Sequence, residues 1–429
     1  MTTTPASIPG VRWLKAPLRS AADDDGSLAR TVTAIVDAVR TRGDAAVAEF
    51  STTLDGVTLD RFEVSDDERQ RALDELDPQT RSDTQFTIDN VRRFAEAQLG
   101  SMQPLDVETL PGVRLGHRLI PLRRVGCYVP GGRYPLLSAP IMTIVPAAVA
   151  GVDEIVACLP PGAHPAMIAG CHLSGAHRIF RIGGAQAIAA MAHGTATVPA
   201  VDKIVGPGNA FVNEAKRQVF GTVGIDQLAG PSEIFVLADA SGDAEMIATD
   251  LLAQAEHDVR TRVGLITTDA ALAEATRVEI EAQLATLSTA ATAGVAWQDF
   301  GEIAVCDDDA AMIAYSDAVA AEHLQVHVQD PMAFSHRLRD YGSLFIGELS
   351  SVVYSDKCCG TNHTLPTMGA GRYTGGLWVG TYVKTATWQS LDERGVRALA
   401  PPAARQSASE GLEGHRRAAQ LRLDRLQGG

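Results

Sequence analysis

A chain of 429 residues, 45% apolar and 21% charged, has an ordinary globular composition and is too long for one hydrophobic core, so two or more domains are expected. A formal charge of −15 excludes a general nucleic-acid or anionic-membrane surface, though not a small basic pocket. The start MTTTPASIPG lacks a basic head and an apolar signal core, and the most apolar stretch, Leu136 to Val152, is broken by Pro140 and Pro146; with six cysteines outside any disulfide framework, a cytoplasmic protein with no membrane span is expected.

In chain order, residues 1–26 are polar and mixed and read as an N-terminal arm. Residues 27–100 read as mainly helical, with apolar residues at helical spacing in TVTAIVDAVRTRGDAAVAEF and around ERQRALDEL. From about residue 121 strands and helices alternate. VDEIVACLP (152–160) is a buried strand; HRIFRIGGAQAIAAMAHG (177–194) and VDKIVGPGNAFVNEAKRQVFG (201–221) each read strand, glycine turn, helix; SEIFVLAD (232–239) is another strand. Alternation resumes with a helix through DLLAQAEHD (250–258), a strand at TRVGLITTD, a helix at 270–287 and a strand at GEIAVCD. A helix near 308–321 and a strand at LQVHVQD follow. This order implies parallel sheets covered on both faces. The last fifty residues, from about 376, read as an Arg- and Ala-rich helical tail.

Several segments carry residue types suited to chemistry. Gln254 and His257 stand three apart in a helical pattern, a spacing that aims an imidazole and an amide oxygen at one point; the alternative is a solvated surface pair. GPGN (206–209) and GGAQA (183–187) follow strands and open helices, where a backbone approaches phosphate closely, although G-x-G-x-x-G is absent and plain turn glycines would look the same. Glu322 and His323 sit where a helical pattern becomes a strand pattern, so both can face a cleft and share proton transfer, or be neighbours by chance. SDKCCGTNHTLPT (355–367) reads as an irregular polar loop holding Asp356, Asn362 and His363, with Cys358 and Cys359 as small packing residues. EGLEGH places Glu410 and His415 in the tail.

QAEH, AAEHL, the D-x6-H loop with GTNHTLPT, and EGLEGH occur in the order that resembles the histidinol dehydrogenase family, supported by GCYVPGG (126–132), GGAQA, GPGN and AGPSE (229–233). The resemblance covers essentially the whole chain. It implies an α/β fold of two Rossmann-like parallel-sheet domains with a helical N-terminal arm and a helical C-terminal tail. The implied division is arm 1–26; a first domain of 27–120 plus 235–375 bearing metal and base residues; a second, NAD-binding domain of 121–234; and a tail, 376–429, packing on a partner subunit. The implied activity is a homodimeric NAD-dependent alcohol dehydrogenase with one Zn2+ per subunit and a shared active site. It takes a small primary alcohol through a bound aldehyde to the carboxylate.

Residue by residue, the resemblance assigns zinc to Gln254, His257, Asp356 and His415, the last from the partner subunit. Glu322 and His323 match the proton acceptors, and Tyr128, Gln186 and Asn209 the NAD contacts. Ser232, His363 and Glu410 match substrate contacts, which His323 and the four zinc ligands share. Lys357 and Arg133 depart from the enzymes that make histidine, whose usual residues there are aromatic and small or uncharged. That departure is similar to a paralogous branch containing sulfopropanediol dehydrogenases, and suggests positive charge for an anionic alcohol.

Overall fold

The computed structural model describes residues 8–19, 26–131 and 136–427. Strand β1 (Val11–Lys15) precedes helices α1 (Ser27–Arg42), α2 (Asp44–Thr53), α3 (Asp66–Asp74) and α4 (Pro78–Ser101), then strands β2 (Leu105–Leu110) and β3 (Val113–Pro121). A first alternating run comprises β4 (Arg124–Tyr128), α5 (Ser138–Ala150), β5 (Glu154–Leu159), α6 (Pro165–Ser174), β6 (Arg178–Arg181), α7 (Gly184–His193), β7 (Lys203–Val205), α8 (Ala210–Val219) and β8 (Gly224–Ile225). A second comprises β9 (Glu233–Ala238), α9 (Ala244–Ala255), β10 (Arg262–Thr267), α10 (Ala270–Leu284), α11 (Ala290–Phe300), β11 (Glu302–Cys306), α12 (Asp309–Val319), β12 (His323–His327), α13 (Pro331–Ser335) and β13 (Ser343–Ile346). Helix α14 (Val352–Lys357), strand β14 (Val383–Leu391) and helices α15 (Glu393–Ser409) and α16 (Glu413–Gln427) follow.

The chain divides into two compact units: residues up to Glu96 with Leu122–Tyr382, and Ala97–Pro121 with the residues from Val383 onward. The larger unit holds two sheets with one plan. The first runs β6-β5-β4-β7-β8 and is parallel throughout. The second runs β1-β11-β10-β9-β12-β13, parallel except for β1. In each, two strands build outward on one side of the founding strand (β4 or β9) before the chain crosses to its other side. That crossing creates a switch point between β4 and β7, and another between β9 and β12.

Strands buried on both faces need helices on both, and the second sheet shows the two layers. One face packs Ile234, Val236, Val263 and Leu265 against α9, α10 and α11; the other packs Phe235, Leu237 and Leu324 against Met312 and Tyr315 of α12. Each fully buried Leu, Ile or Phe contributes about 1.5–3 kcal/mol by leaving water, so truncating Leu251 of α9 to Ala is expected to cost about 2–5 kcal/mol.

The arm, expected to be helical, supplies strand β1 instead. Val11 and Trp13 turn inward onto the β11 layer while Arg12 and Leu14 face out, a period-2 pattern too short to stand out in a polar segment. The tail also differs from a purely helical one. Val383–Leu391 is a nine-residue strand, rich in Val, Thr and Trp, pairing with β3 in the antiparallel order β14-β3-β2. The helical reading holds for α15 and α16, which pack on each other.

Candidate active site at the strand ends

The pair expected to transfer protons lies at the helix-to-strand switch, Glu322 just before β12 and His323 opening it. Glu322 and His323 are buried, with Glu322 Oε2 3.5 Å from His323 Nδ1. Both are held by Glu233, the first residue of the neighbouring strand β9. Its main-chain N–H donates to Glu322 Oε2 at 2.8 Å, and its carbonyl lies 2.9 Å from His323 Nδ1. A carbonyl only accepts, so Nδ1 carries a proton in either charge state, and Nε2 is the acceptor when the ring is neutral. Nε2 is buried and has no hydrogen-bond partner among the described residues. Burial depresses the imidazolium, but the Glu322 charge and hydrogen bond, with Asp356 beyond, outweigh it and raise the His323 pKa to about 9.

Further charged groups open the neighbouring strands. Arg262, opening β10, donates to Glu233 Oε1 at 3.2 Å, and Glu302, opening β11, accepts from Tyr315 at 3.0 Å. Burial pushes both carboxyls, Glu233 and Glu302, up from the usual range. Ser232, half-buried just before β9, accepts the Arg262 N–H through its carbonyl at 3.0 Å.

Asp356 is the hub of the metal-type residues. It lies in α14, so the 355–367 segment begins as helix and becomes irregular only after Lys357. His257 Nε2 is 3.9 Å from Asp356 Oδ2, and His363 Nδ1 is 3.9 Å from Asp356 Oδ1 and 3.2 Å from its carbonyl oxygen. The shared helix face expected for Gln254 and His257 holds only in part. Helix α9 stops at Ala255, with Gln254 buried in its last turn, while His257 follows the C-cap and is exposed. The two stay linked by a tight turn, His257 N–H to Gln254 O at 3.1 Å.

Among the described residues no three His, Cys, Asp or Glu side chains group to hold a metal. The imidazole and carboxylate at 3.9 Å, with Gln254 three residues before His257 in the chain, offer a mixed N/O donor set that suits Zn2+ and leaves positions for further donors. Glu410, the C-cap of α15, and His415, in the first turn of α16, belong to the smaller unit and are exposed. Lys357 is exposed at the end of α14, and its charge acts on His363. Arg133 lies outside the described residues. Cys359 is exposed, not packed; Cys358 is half-buried.

The dinucleotide-type residues gather at the carboxyl ends of the first sheet. Tyr128 closes β4, and its hydroxyl accepts the Gly184 N–H at 3.1 Å; burial raises its pKa to about 12. Gln186, in the first turn of α7, donates to Asp55 Oδ2 at 3.0 Å. Exposed Asn209 caps α8, accepting from the Phe211 and Val212 N–H groups at 3.0 and 3.1 Å.

The G-P-G turn crosses the Tyr128 backbone so closely that a Cβ on Gly206 (φ +113°) would strike the Tyr128 carbonyl. Its shape is set by the buried Lys216–Asp226 pair: Asp226 accepts the Gly206 N–H at 2.7 Å and Lys216 donates to the Gly206 carbonyl at 3.0 Å. Glycines 131 and 183 likewise pack so closely on Pro160 that a Cβ on either would crowd it. Glycine turns at the carboxyl ends of parallel strands, beside a switch point and helix N-termini, are of the kind that suits a dinucleotide.

Sequence reasoning missed the supporting residues Asp55, Asp226, Arg262 and the two-handed role of Glu233. Only Glu233 carried a signal, as the last letter of AGPSE.

The sequence profile described as histidinol dehydrogenase matches residues 18–423. A histidinol dehydrogenase homolog of Shouchella clausii is 45% identical across 94% of this chain and 96% of its own length. A sulfopropanediol 3-dehydrogenase of Ruegeria pomeroyi is 42% identical across 96% of both. The crystal structure of histidinol dehydrogenase from Elizabethkingia anophelis superposes with a TM-score of 0.90 at 32% identity, covering 96% of this chain and 95% of that one. Its parallel α/β architecture is shared. The chain belongs to the histidinol dehydrogenase family of oxidoreductases.

Proposed function

We propose that this protein is a zinc- and NAD-dependent dehydrogenase that carries a small primary alcohol through a bound aldehyde to the carboxylate, releasing two NADH. The observation that carries this reading is the meeting of a buried base pair, Glu322–His323, with the Asp356 cluster at one edge of the second sheet. When bound, NAD supplies the hydride acceptor and zinc the positive charge that orients the substrate's donors. Gln254, His257 and Asp356 would hold the metal, with His415 completing the set from a second copy. Tyr128, Gln186 and Asn209 would hold the dinucleotide. We read the two parallel sheets as Rossmann-like, with residues 121–234 as the dinucleotide domain, and the protein as a cytoplasmic homodimer.

The proton work falls to this chain's own groups. In the neutral ring His323 Nε2 accepts the alcohol proton, its other nitrogen fixed by the Glu233 carbonyl, and the raised pKa makes alkaline pH favour this step. Glu322, oriented by the Glu233 N–H, takes a proton from water as that water adds to the aldehyde. The overall change, RCH2OH + H2O + 2 NAD+ → RCOO− + 2 NADH + 3 H+, balances. Retention of the aldehyde among buried side chains prevents its loss to solvent. Ser232, His363 and Glu410 are assigned to the substrate.

L-histidinol, oxidised to L-histidine, is the first candidate substrate. The similarity to a sulfopropanediol 3-dehydrogenase and the exposed Lys357 beside the Asp356 cluster support a second, an anionic diol such as dihydroxypropane sulfonate oxidised to sulfolactate. A substrate panel with NADH counting tests both. Two NADH per alcohol, lost on chelation and restored by zinc, is expected. One NADH per alcohol, or chelator-resistant turnover, overturns the four-electron or metal part respectively.

A further inference from the structure

Three elements carry the metal-type and base residues: α9 brings Gln254, β12 brings His323 and α14 brings Asp356. One carboxylate joins all three. Asp250 stands one helical turn before Gln254 on α9. Its Oδ2 accepts Gln325 Nε2 of β12 at 2.9 Å, and its Oδ1 accepts Ser351 Oγ at 2.7 Å. Ser351 is the N-cap of α14, five residues before Asp356, and Gln325 is two residues after His323 on the same face of the strand. Apart from His323 and His327 on β12, the neighbours on that face are apolar: the β9 partners of His323 and Gln325 are Ile234 and Val236, both in the core under α9. A carboxylate and an amide placed in such a layer cost desolvation unless they are paired, and here each oxygen of Asp250 has its own donor.

We infer that Asp250 is a positioning residue, a two-armed brace that sets the distance between the metal donors on α9 and α14 and keeps β12, with its base, in register with them. The inference rests on the reading of Gln254, His257 and Asp356 as zinc donors. It goes beyond that reading by giving the pre-organisation of the donors to a residue that touches neither metal nor substrate. Groups that hydrogen-bond a metal ligand directly typically govern metal affinity by roughly 10–100-fold, and a brace that holds the ligand-bearing elements is expected to reach the same range. The brace works by geometry, not by charge. An Asn at 250 is able to accept Ser351 with its oxygen and donate to Gln325 through an amide turned by half a rotation, using the Gln325 Oε1 that has no partner among the described residues.

The test is zinc affinity of the purified full-length protein, measured by chelator competition and independently of turnover, with thermal unfolding to show that each variant is folded. Asp250→Ala should hold zinc roughly 10–100-fold more weakly, and Asp250→Asn should stay within about threefold of the parent protein. Ser351→Ala cuts only the α14 arm and should weaken zinc severalfold with little change in KM for NAD. Gln325→Met cuts only the β12 arm and should lower kcat while leaving zinc affinity in place.

Equal zinc affinity in the parent protein and Asp250→Ala overturns the inference and leaves the metal site standing. Asp250→Asn as weak as Asp250→Ala overturns it in favour of a charge effect. A parent protein that takes up no zinc overturns the metal reading itself, and the brace with it. Should Asp250→Ala fail to fold, the two single-arm variants decide: the same loss of zinc affinity in both, or in neither, overturns the inference.

Discussion

The two parallel sheets of the larger unit share one strand order, yet their chemistry gathers at opposite ends. In the first, the carboxyl ends of β4 and β7 are bare of Cβ atoms at Gly206 and Gly208, and the turns into α7 and α8 are built from glycine and a capping Asn. In the second, each corresponding turn opens its helix with an aspartate: Asp243, Asp269 and Asp308 cap α9, α10 and α12 by accepting N–H groups three residues on. Asp239 also reaches across the β9/β12 switch point to take the Gln329 N–H at 2.9 Å. Carboxylates already seated on the helix N-termini satisfy the donors a phosphate would need and repel its charge. Their negative charge disfavours a phosphate there, where the neutral Asn209 cap of the first sheet does not. The amino ends of the same strands hold Glu233, Arg262, Glu302, Glu322 and His323 instead. A shared topology thus dictates where crevices form, while the residues at each end decide which crevice is used.

The contrast can be broken most forcefully at the second sheet. His323→Asn removes the imidazole acceptor and is expected to lower kcat by about 10²–10⁴-fold, with dinucleotide affinity, read from fluorescence titration, unchanged. A parallel fall in dinucleotide affinity would mean that the two ends are not separable. Gly206→Ala acts at the other end. The added Cβ meets the Tyr128 carbonyl at a φ of +113°, a strain of about 1–3 kcal/mol. Dinucleotide binding should weaken by roughly five- to hundredfold, while zinc affinity holds.

A smaller effect is expected from Asp269→Ala, which removes the α10 cap and should cost about 0.5–2 kcal/mol in denaturant unfolding, with no gain or loss of dinucleotide affinity. The subtlest test is pH. His323 has a folded pKa of about 9 against an ordinary 6.5, so its protonation stabilises the fold fully below about pH 6.5. That contribution fades as pH rises through about 9. Metal-free protein should therefore lose thermal stability across this window more steeply than its His323→Asn variant; equal slopes would contradict the assignment.

The sequence was most legible where a strand is buried and a helix follows. VDEIVACLP, SEIFVLAD and TRVGLITTD became strands because apolar runs bounded by turns have few other uses, and LQVHVQD because it alternates with period two. It was least legible where a short alternating pattern sits in polar or Ala-rich company. Val11–Lys15 and Val383–Leu391 are such segments, and their strand character comes from partners nearly 300 residues away in the first case. The site followed the same division. Glu322–His323 and the Asp356 loop could be singled out by residue type, but as candidates beside a chance reading, and only the family resemblance gave them roles. Asp250, lying inside an ordinary amphipathic helix, gave no sign, since its importance lies in two donors 75 and 101 residues further along.

Strand β1 has a consequence for handling the protein. It is the outermost strand beside β11, whose five residues are all buried, and it presents Arg12 outward at the sheet's rim. Trimming the chain past Lys15 would uncover a row of unpaired main-chain donors and acceptors on an apolar ribbon, the kind of border that invites other extended chains to dock. Shortened preparations should scatter light at concentrations where the intact chain stays clear, even though no residue near the bases or the glycine turns has been touched.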